Sequence, residues 1–208
     1  MAPQKTVFWE VDVQADFMLP GGKLYVPGAE KIIPNIQRLV DAARDSRVFL
    51  VSSACSHTPD DPEFQRFSPH CVRGTPGARI IPEGLTQDFA TVPNDATPLP
   101  SDLFAHRQVV IEKQMLDVFT NPRANEIVEK LGRDAEFVVF GVVTEYCVGL
   151  AANGLLARGR KVAVVEDAIE TLAAGAGSRT LGELTSRGAR LITTNDTLAL
   201  VAARRSAV

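Results

Sequence analysis

Four short apolar runs each deliver a reactive residue at their end: Asp12 after VFWEV, Cys55 and His57 after VFLVSSA, Lys113 after QVVIE and Cys147 after FVVFGVVTEY. A thiol, a carboxylate and an amine are the parts of a covalent hydrolase. The thiolate attacks, the carboxylate carries its proton, and the cation holds the carboxylate and offsets charge on the substrate. Cys147 is the sharpest of these signals, because a helical pattern opens at it. A thiol at a helix N-terminus faces unsatisfied backbone N–H groups and the positive end of the dipole, which favour thiolate. The same N–H groups can form an oxyanion hole. Each residue alone has a plainer use: cysteine as a small core hydrophobe, lysine as a solvated strand end, aspartate as a turn former. Their coincidence at strand ends is what points to catalysis.

The elements that must position them alternate. Strands are expected at Val7 to Val13, Val48 to Ser52, Gln108 to Ile111, Phe137 to Val142, Lys161 to Val165 and Ala189 to Thr193. Between the first two, Ile32, Ile36, Leu39, Val40 and Ala43 recur at helical spacing, and further helices follow near 121–131, 144–158, 178–187 and 196–204. Buried parallel strands read as near-continuous apolar runs, and alternation with helices implies right-handed crossovers. The expectation is a three-layer α/β/α, Rossmann-type domain with a parallel sheet, spanning 1–208 as a single unit. Ligands then lie beyond the carboxyl ends of the strands. One stretch, residues 54–106, holds eight of the thirteen prolines and little periodicity, and reads as a long active-site loop.

Composition narrows the class. The 208 residues are 45% hydrophobic and 23% charged with a net charge of −3, which argues against disorder and against a nucleic-acid partner. No stretch approaches the roughly 20 apolar residues of a membrane span, so no membrane partner is expected, and the first residues lack a secretory pattern. Three cysteines (Cys55, Cys71, Cys147) at irregular spacing do not suggest disulfides, and a reducing cytoplasm fits them. GTPGA at 74–78 sits in the long loop rather than between strand and helix, so no phosphate cradle, and no nucleotide or organic cofactor, is expected.

DVQADF (12–17), the lysine of VVIEK (109–113), GVVTEYCVGLAA (141–152) and SPHCVRGTPGA (68–78) resemble the isochorismatase-like cysteine hydrolases, and nicotinamidases in particular. The matches run in family order from Val11 to about Ala168. The resemblance implies a six-stranded parallel sheet and a catalytic triad of Asp12, Lys113 and Cys147. It also implies a cis peptide between Val142 and Val143, with the N–H groups of Val143 and Cys147 as the oxyanion hole. The expected reaction releases ammonia from a small primary amide through a thioester, nicotinamide to nicotinate first. A carbamoyl or maleamate-type amide is the alternative, and a catalytically silent binding module of the same fold is a third reading. Isochorismatases proper lack the nucleophilic cysteine, so Cys147 speaks for amide hydrolysis over vinyl-ether hydrolysis.

The resemblance also places a metal beside the triad. Its histidines match His57 and His70, with Glu63 seven residues before His70, but the expected aspartate is replaced by Cys55. Three arrangements follow: Cys55 ligates as thiolate, which suits Zn2+; Glu63, His57 and His70 hold an ion with waters; or the site is empty. A structural zinc held by Cys55, His57, His70 and Cys71 is a further arrangement, although Cys71 should point away from His70 in an extended loop. For the substrate ring the resemblance names Phe17 and Phe67 as walls with Tyr146 nearby, while Phe119 reads as core. Glu10, two residues before Asp12, falls on the same strand face and needs a partner or a polar pocket. Asp16 reads as stabilising the turn after the first strand, and His106 as surface. Homo-oligomers are expected from the resemblance, with the helix at Leu198 to Ala203 offering an interface.

Overall fold

The computed structural model describes residues 6–206. Seven strands form one sheet: β1 (Thr6–Val11), β2 (Phe49–Cys55), β3 (Phe89–Val92), β4 (Gln108–Lys113), β5 (Glu136–Val142), β6 (Lys161–Glu170) and β7 (Arg190–Ile192). Their order is β3-β4-β2-β1-β5-β6-β7, and every neighbouring pair is parallel. The architecture is the expected three-layer α/β fold, but the sheet has seven strands rather than six. The extra strand, β3, lies inside the proline-rich stretch. Four residues at the sheet edge, with Phe89 and Thr91 exposed, carry no apolar run for a sequence pattern to catch.

Alternation along β1 splits the core in two. Val7, Trp9 and Val11 join one cluster with Ile127 and Val128 of α3 (Ala124–Lys130) and Ala151, Ala152 and Leu155 of α4 (Gly149–Ala157). Phe8 joins the other, against Ile32, Ile36, Leu39 and Val40 of α2 (Ala29–Arg44). The short α1 (Ala15–Met18) follows β1, and α5 (Ala174–Ser186) and α6 (Thr194–Ser206) flank β7. In α6, Val201 is buried in the second cluster and Leu198 is partly buried against it. No helix among the described residues is long and apolar enough to cross a membrane.

Because β1 lies between β2 and β5, chain progression reverses direction at β1, which opens a crevice beyond its carboxyl end. The backbones meet closely there. A Cβ on Gly141, whose φ is +117°, would stand 2.1 Å from the carbonyl oxygen of Val11.

Candidate active site

Asp12 is the first residue past β1, and its φ of 53° breaks the strand alternation. Glu10 receives the Ser52 hydroxyl at 2.7 Å, whereas Asp12 lies 3.4 Å from the Ser53 hydroxyl. Ser52 and Ser53 are successive residues of one strand and face opposite ways. The two acids of β1 are therefore on opposite faces, and the expectation of a shared face is corrected by this single left-handed residue.

Lys113 closes β4 opposite Cys55 in register and is fully buried. Its Nζ lies 2.9 Å from Asp12 Oδ2, 3.1 Å from Cys55 Sγ and 3.5 Å from Cys147 Sγ. Burial works against the ammonium, but Asp12 and the two sulfurs outweigh it and hold Lys113 well above the ordinary lysine range. Cys147 follows a cis Val142–Val143 peptide and sits within a wide turn, Thr144–Val148, where Tyr146 leaves helical dihedrals (φ −120°, ψ −106°). The α-helix begins only at Gly149. The argument from a helix N-terminus is thus corrected: burial pushes the thiol well up, Lys113 pulls it down, and the Asp12 carboxylate, which accepts its hydrogen bond, raises it again.

Above Cys147 opens a pocket with mostly apolar walls. Phe17, Phe67 and Tyr146 all line it, Phe67 and Tyr146 meeting edge-to-face at 6.4 Å between centroids. Phe119 does not; it stacks on Trp9 at 6.0 Å beneath the Arg158 guanidinium, as core. Among the described residues lining the pocket there is no Arg or Lys.

On one side the pocket meets a cluster of ligand-type atoms. Donors of Cys55, His57 and His70 lie within 4.8 Å of one another, and so do those of His57, Asp61 and Glu63. His57 Nδ1 lies 3.0 Å from Asp61 Oδ2, and His70 Nδ1 lies 2.8 Å from the Ser68 carbonyl oxygen, which leaves each Nε2 free to face the cluster. A histidine whose other nitrogen is held by a carboxylate or carbonyl is oriented for metal binding. Both ring nitrogens of His57 and Glu63 Oε2 are buried without a hydrogen bond of good geometry, the 3.0 Å approach of Asp61 to Nδ1 being an ion-pair contact. Burial lowers the pKa of His70, keeping the neutral form that ligates, while burial pushes the Cys55 thiol up to about 12, with Asp12 adding to it and Lys113 opposing. The spacing of these donors fits a metal ion. Cys71 is not among them: its Sγ lies buried 3.9 Å from the Gly77 carbonyl oxygen.

Several residues that position this site escaped the sequence reading. The Gln14 side chain accepts from the Cys55 peptide N–H at 2.7 Å and donates to the carbonyls of Cys55 and Ala78 at 2.8 and 2.7 Å, fixing the backbone that carries Cys55. Asp61 orients His57. Asp16, expected to stabilise the turn after the first strand, accepts from the backbone of Lys23 and, beyond that expectation, of Cys71, tying the turn to the loop that carries His70. Leu24, Tyr25, Leu116 and Leu172 complete the pocket from loops. Only the HxxxD spacing of His57 and Asp61 offered a signal; the others act through backbone atoms brought together by the fold. Glu10 has its polar pocket, and His106 pairs with Asp88 at 2.6 Å on the surface.

The isochorismatase domain profile matches residues 7–196. A nicotinamidase of Saccharomyces cerevisiae is 27% identical over 185 residues, covering 76% of this chain and 84% of the relative. A zinc complex of the pyrazinamidase of Pyrococcus horikoshii superposes with a TM-score of 0.72 at 26% identity, over 91% of this chain and 99% of the other. The N-carbamoylsarcosine amidase of Thermoplasma acidophilum gives 0.70 at 25% identity, over 91% and 96%.

Proposed function

This chain belongs to the isochorismatase family, whose members include amidohydrolases, and we propose that it releases ammonia from a small uncharged aromatic amide, nicotinamide first. One observation carries the reading: Asp12 and Cys147 line an apolar pocket, and the Lys113 ammonium, buried behind them, lies 2.9 Å from the carboxylate and 3.5 Å from the sulfur. Asp12 takes the thiol proton as Cys147 attacks the amide carbonyl, with the N–H groups of Val143 and Cys147 receiving the oxyanion. The proton passes from Asp12 to the departing nitrogen and ammonia leaves, giving a thioester. Water, deprotonated by Asp12, cleaves it to the acid and restores the thiol. Proton transfer by a placed group accelerates such steps by about 10²–10⁴. Lys113 stays charged throughout and steadies Asp12 when both acid and substrate carry charge.

Cys55, His57 and His70, with Glu63, would hold zinc, and a bound zinc supplies a Lewis-acidic anchor for a ring nitrogen. Phe17, Phe67 and Tyr146 supply flat apolar walls for the ring. The absence of Arg or Lys from the pocket lining weighs against maleamate-type or carbamoyl amino-acid substrates, whose carboxylate needs a cation. Unpaired cysteines suit a reducing compartment, and we place the enzyme in the cytoplasm. Ammonia release from a panel of primary amides tests the reading. Nicotinamide and pyrazinamide should exceed maleamate and N-carbamoyl amino acids by at least about tenfold in kcat/KM; the reverse order overturns it.

A further inference from the structure

Glu145 lies two residues before Cys147, yet its carboxylate serves another part of the chain. Oε1 accepts from the backbone N–H of Leu172 at 3.1 Å and of Ala173 at 2.9 Å, and Oε2 accepts from the Thr171 hydroxyl at 2.6 Å. The adjacent Thr144 hydroxyl donates to the Glu170 carbonyl oxygen at 2.8 Å. Two successive residues of the nucleophile's turn therefore grip four successive residues leading from β6 into α5. Of those four, Leu172 lines the substrate pocket while remaining 54% exposed. A side chain so little packed is placed by its backbone, and that backbone is held by charge-assisted hydrogen bonds from Glu145. Gly177 permits the grip, since a Cβ there would stand 2.6 Å from the Thr171 hydroxyl oxygen.

We propose that Glu145 is a positioning residue for substrate selection: through segment 171–173 it fixes Leu172 as the outer pocket wall relative to Cys147, and so favours ring-bearing amides over small ones. The inference rests on Cys147 being the nucleophile of the proposed reaction. It differs from simple capping of α5, which would affect stability and not discrimination.

The test compares alkylation of Cys147 by iodoacetamide and by its N-phenyl analogue, followed by peptide mass and free of any need for turnover. In Glu145→Ala the ratio of N-phenyl to unsubstituted rate should fall about tenfold, the size of effect a lost apolar contact gives. Leu172→Ala, which leaves the carboxylate and its tether intact, should give the same fall, and the double variant no more. Glu145→Gln keeps an oxygen for both N–H groups and should recover most of the ratio. In kinetics, Glu145→Ala should raise KM for the aromatic amide about tenfold while kcat changes less than about threefold. An unchanged ratio in Glu145→Ala, or one that falls there but not in Leu172→Ala, overturns the proposal. If the wild type hydrolyses no primary amide and the ratio still falls in both variants, the amidase reading fails, and what stands is that Glu145 fixes Leu172 as the wall that selects what reaches Cys147.

Discussion

Two acids stand two residues apart, Glu10 within β1 and Asp12 just past its end, and meet opposite fates. Asp12 is turned by its left-handed backbone to the face where Lys113 ends β4, and its charge is matched at 2.9 Å. Glu10 faces the other way, fully buried, with Ser52 donating to it and no cation in contact; burial pushes its pKa to about 8. Ser52 in turn receives the Gln108 amide, which also reaches the Gly84 carbonyl and accepts from Thr86 N–H, so this polar knot ties residues 84–86 to the sheet. A buried acid either acquires a cation or keeps its proton. The first arrangement gathers an acid, an amine and two thiols; in the second, burial favours the protonated acid and the contacts fasten a loop to the sheet.

That contrast can be broken from its chemical side first. Cys147→Ala should abolish ammonia release while the thermal midpoint stays near that of the wild type; release at the wild-type rate would remove Cys147 from the reaction. Next, Asp12→Asn strips Lys113 of its charge partner. It should cost about 3–5 kcal/mol of stability, as breaking a buried pair does, and lower kcat/KM by about 10²–10⁴. Denaturant titration and ammonia assay read the two effects separately. Cys55→Ala should lose bound zinc by elemental analysis, and an unchanged content would exclude its sulfur as a ligand.

Glu10→Gln sharpens the other side. The folded pKa is raised from 4.5 to about 8, so the neutral acid's contribution is complete below pH 4.5 and drains away as pH rises toward 8. Wild-type stability should therefore decline by a few kcal/mol between pH 5 and 8 from this group. The glutamine variant should lack that decline and be the more stable protein at pH 8, with ammonia release within about twofold of the wild type. Equal slopes in the two proteins would show that Glu10 is charged in the fold. Smallest of all, Ser52→Ala should cost about 1–2 kcal/mol by denaturant titration, by leaving Glu10 and Gln108 each short of a partner.

The strands that carry the reactive residues were readable because long apolar runs such as FVVFGVV survive burial on both faces. β3 was not, since FATV is a half-exposed edge. The second half of β6 was missed where Glu166 and Asp167 interrupt its apolar run. At the site, residue types at strand ends gave the right neighbours, yet which face each used was hidden. Alternation assigns Asp12 to the side of Glu10, and only a positive φ reverses it. The role of Gln14 was invisible for a different reason: it acts on the backbone 41 residues away, where no spacing rule applies.

The place of β1 between β2 and β5 has a consequence for how the molecule is made. Its second edge finds β5 only when the ribosome has added well over a hundred further residues, many seconds at ordinary synthesis speed. Until then the nascent chain holds an apolar strand with one open edge, and Asp12 at its tip has Lys113 of β4 within reach before Cys147 exists. The pairing that completes both edges of β1, and the sulfur that completes the site, therefore arrive together in the second half of the chain.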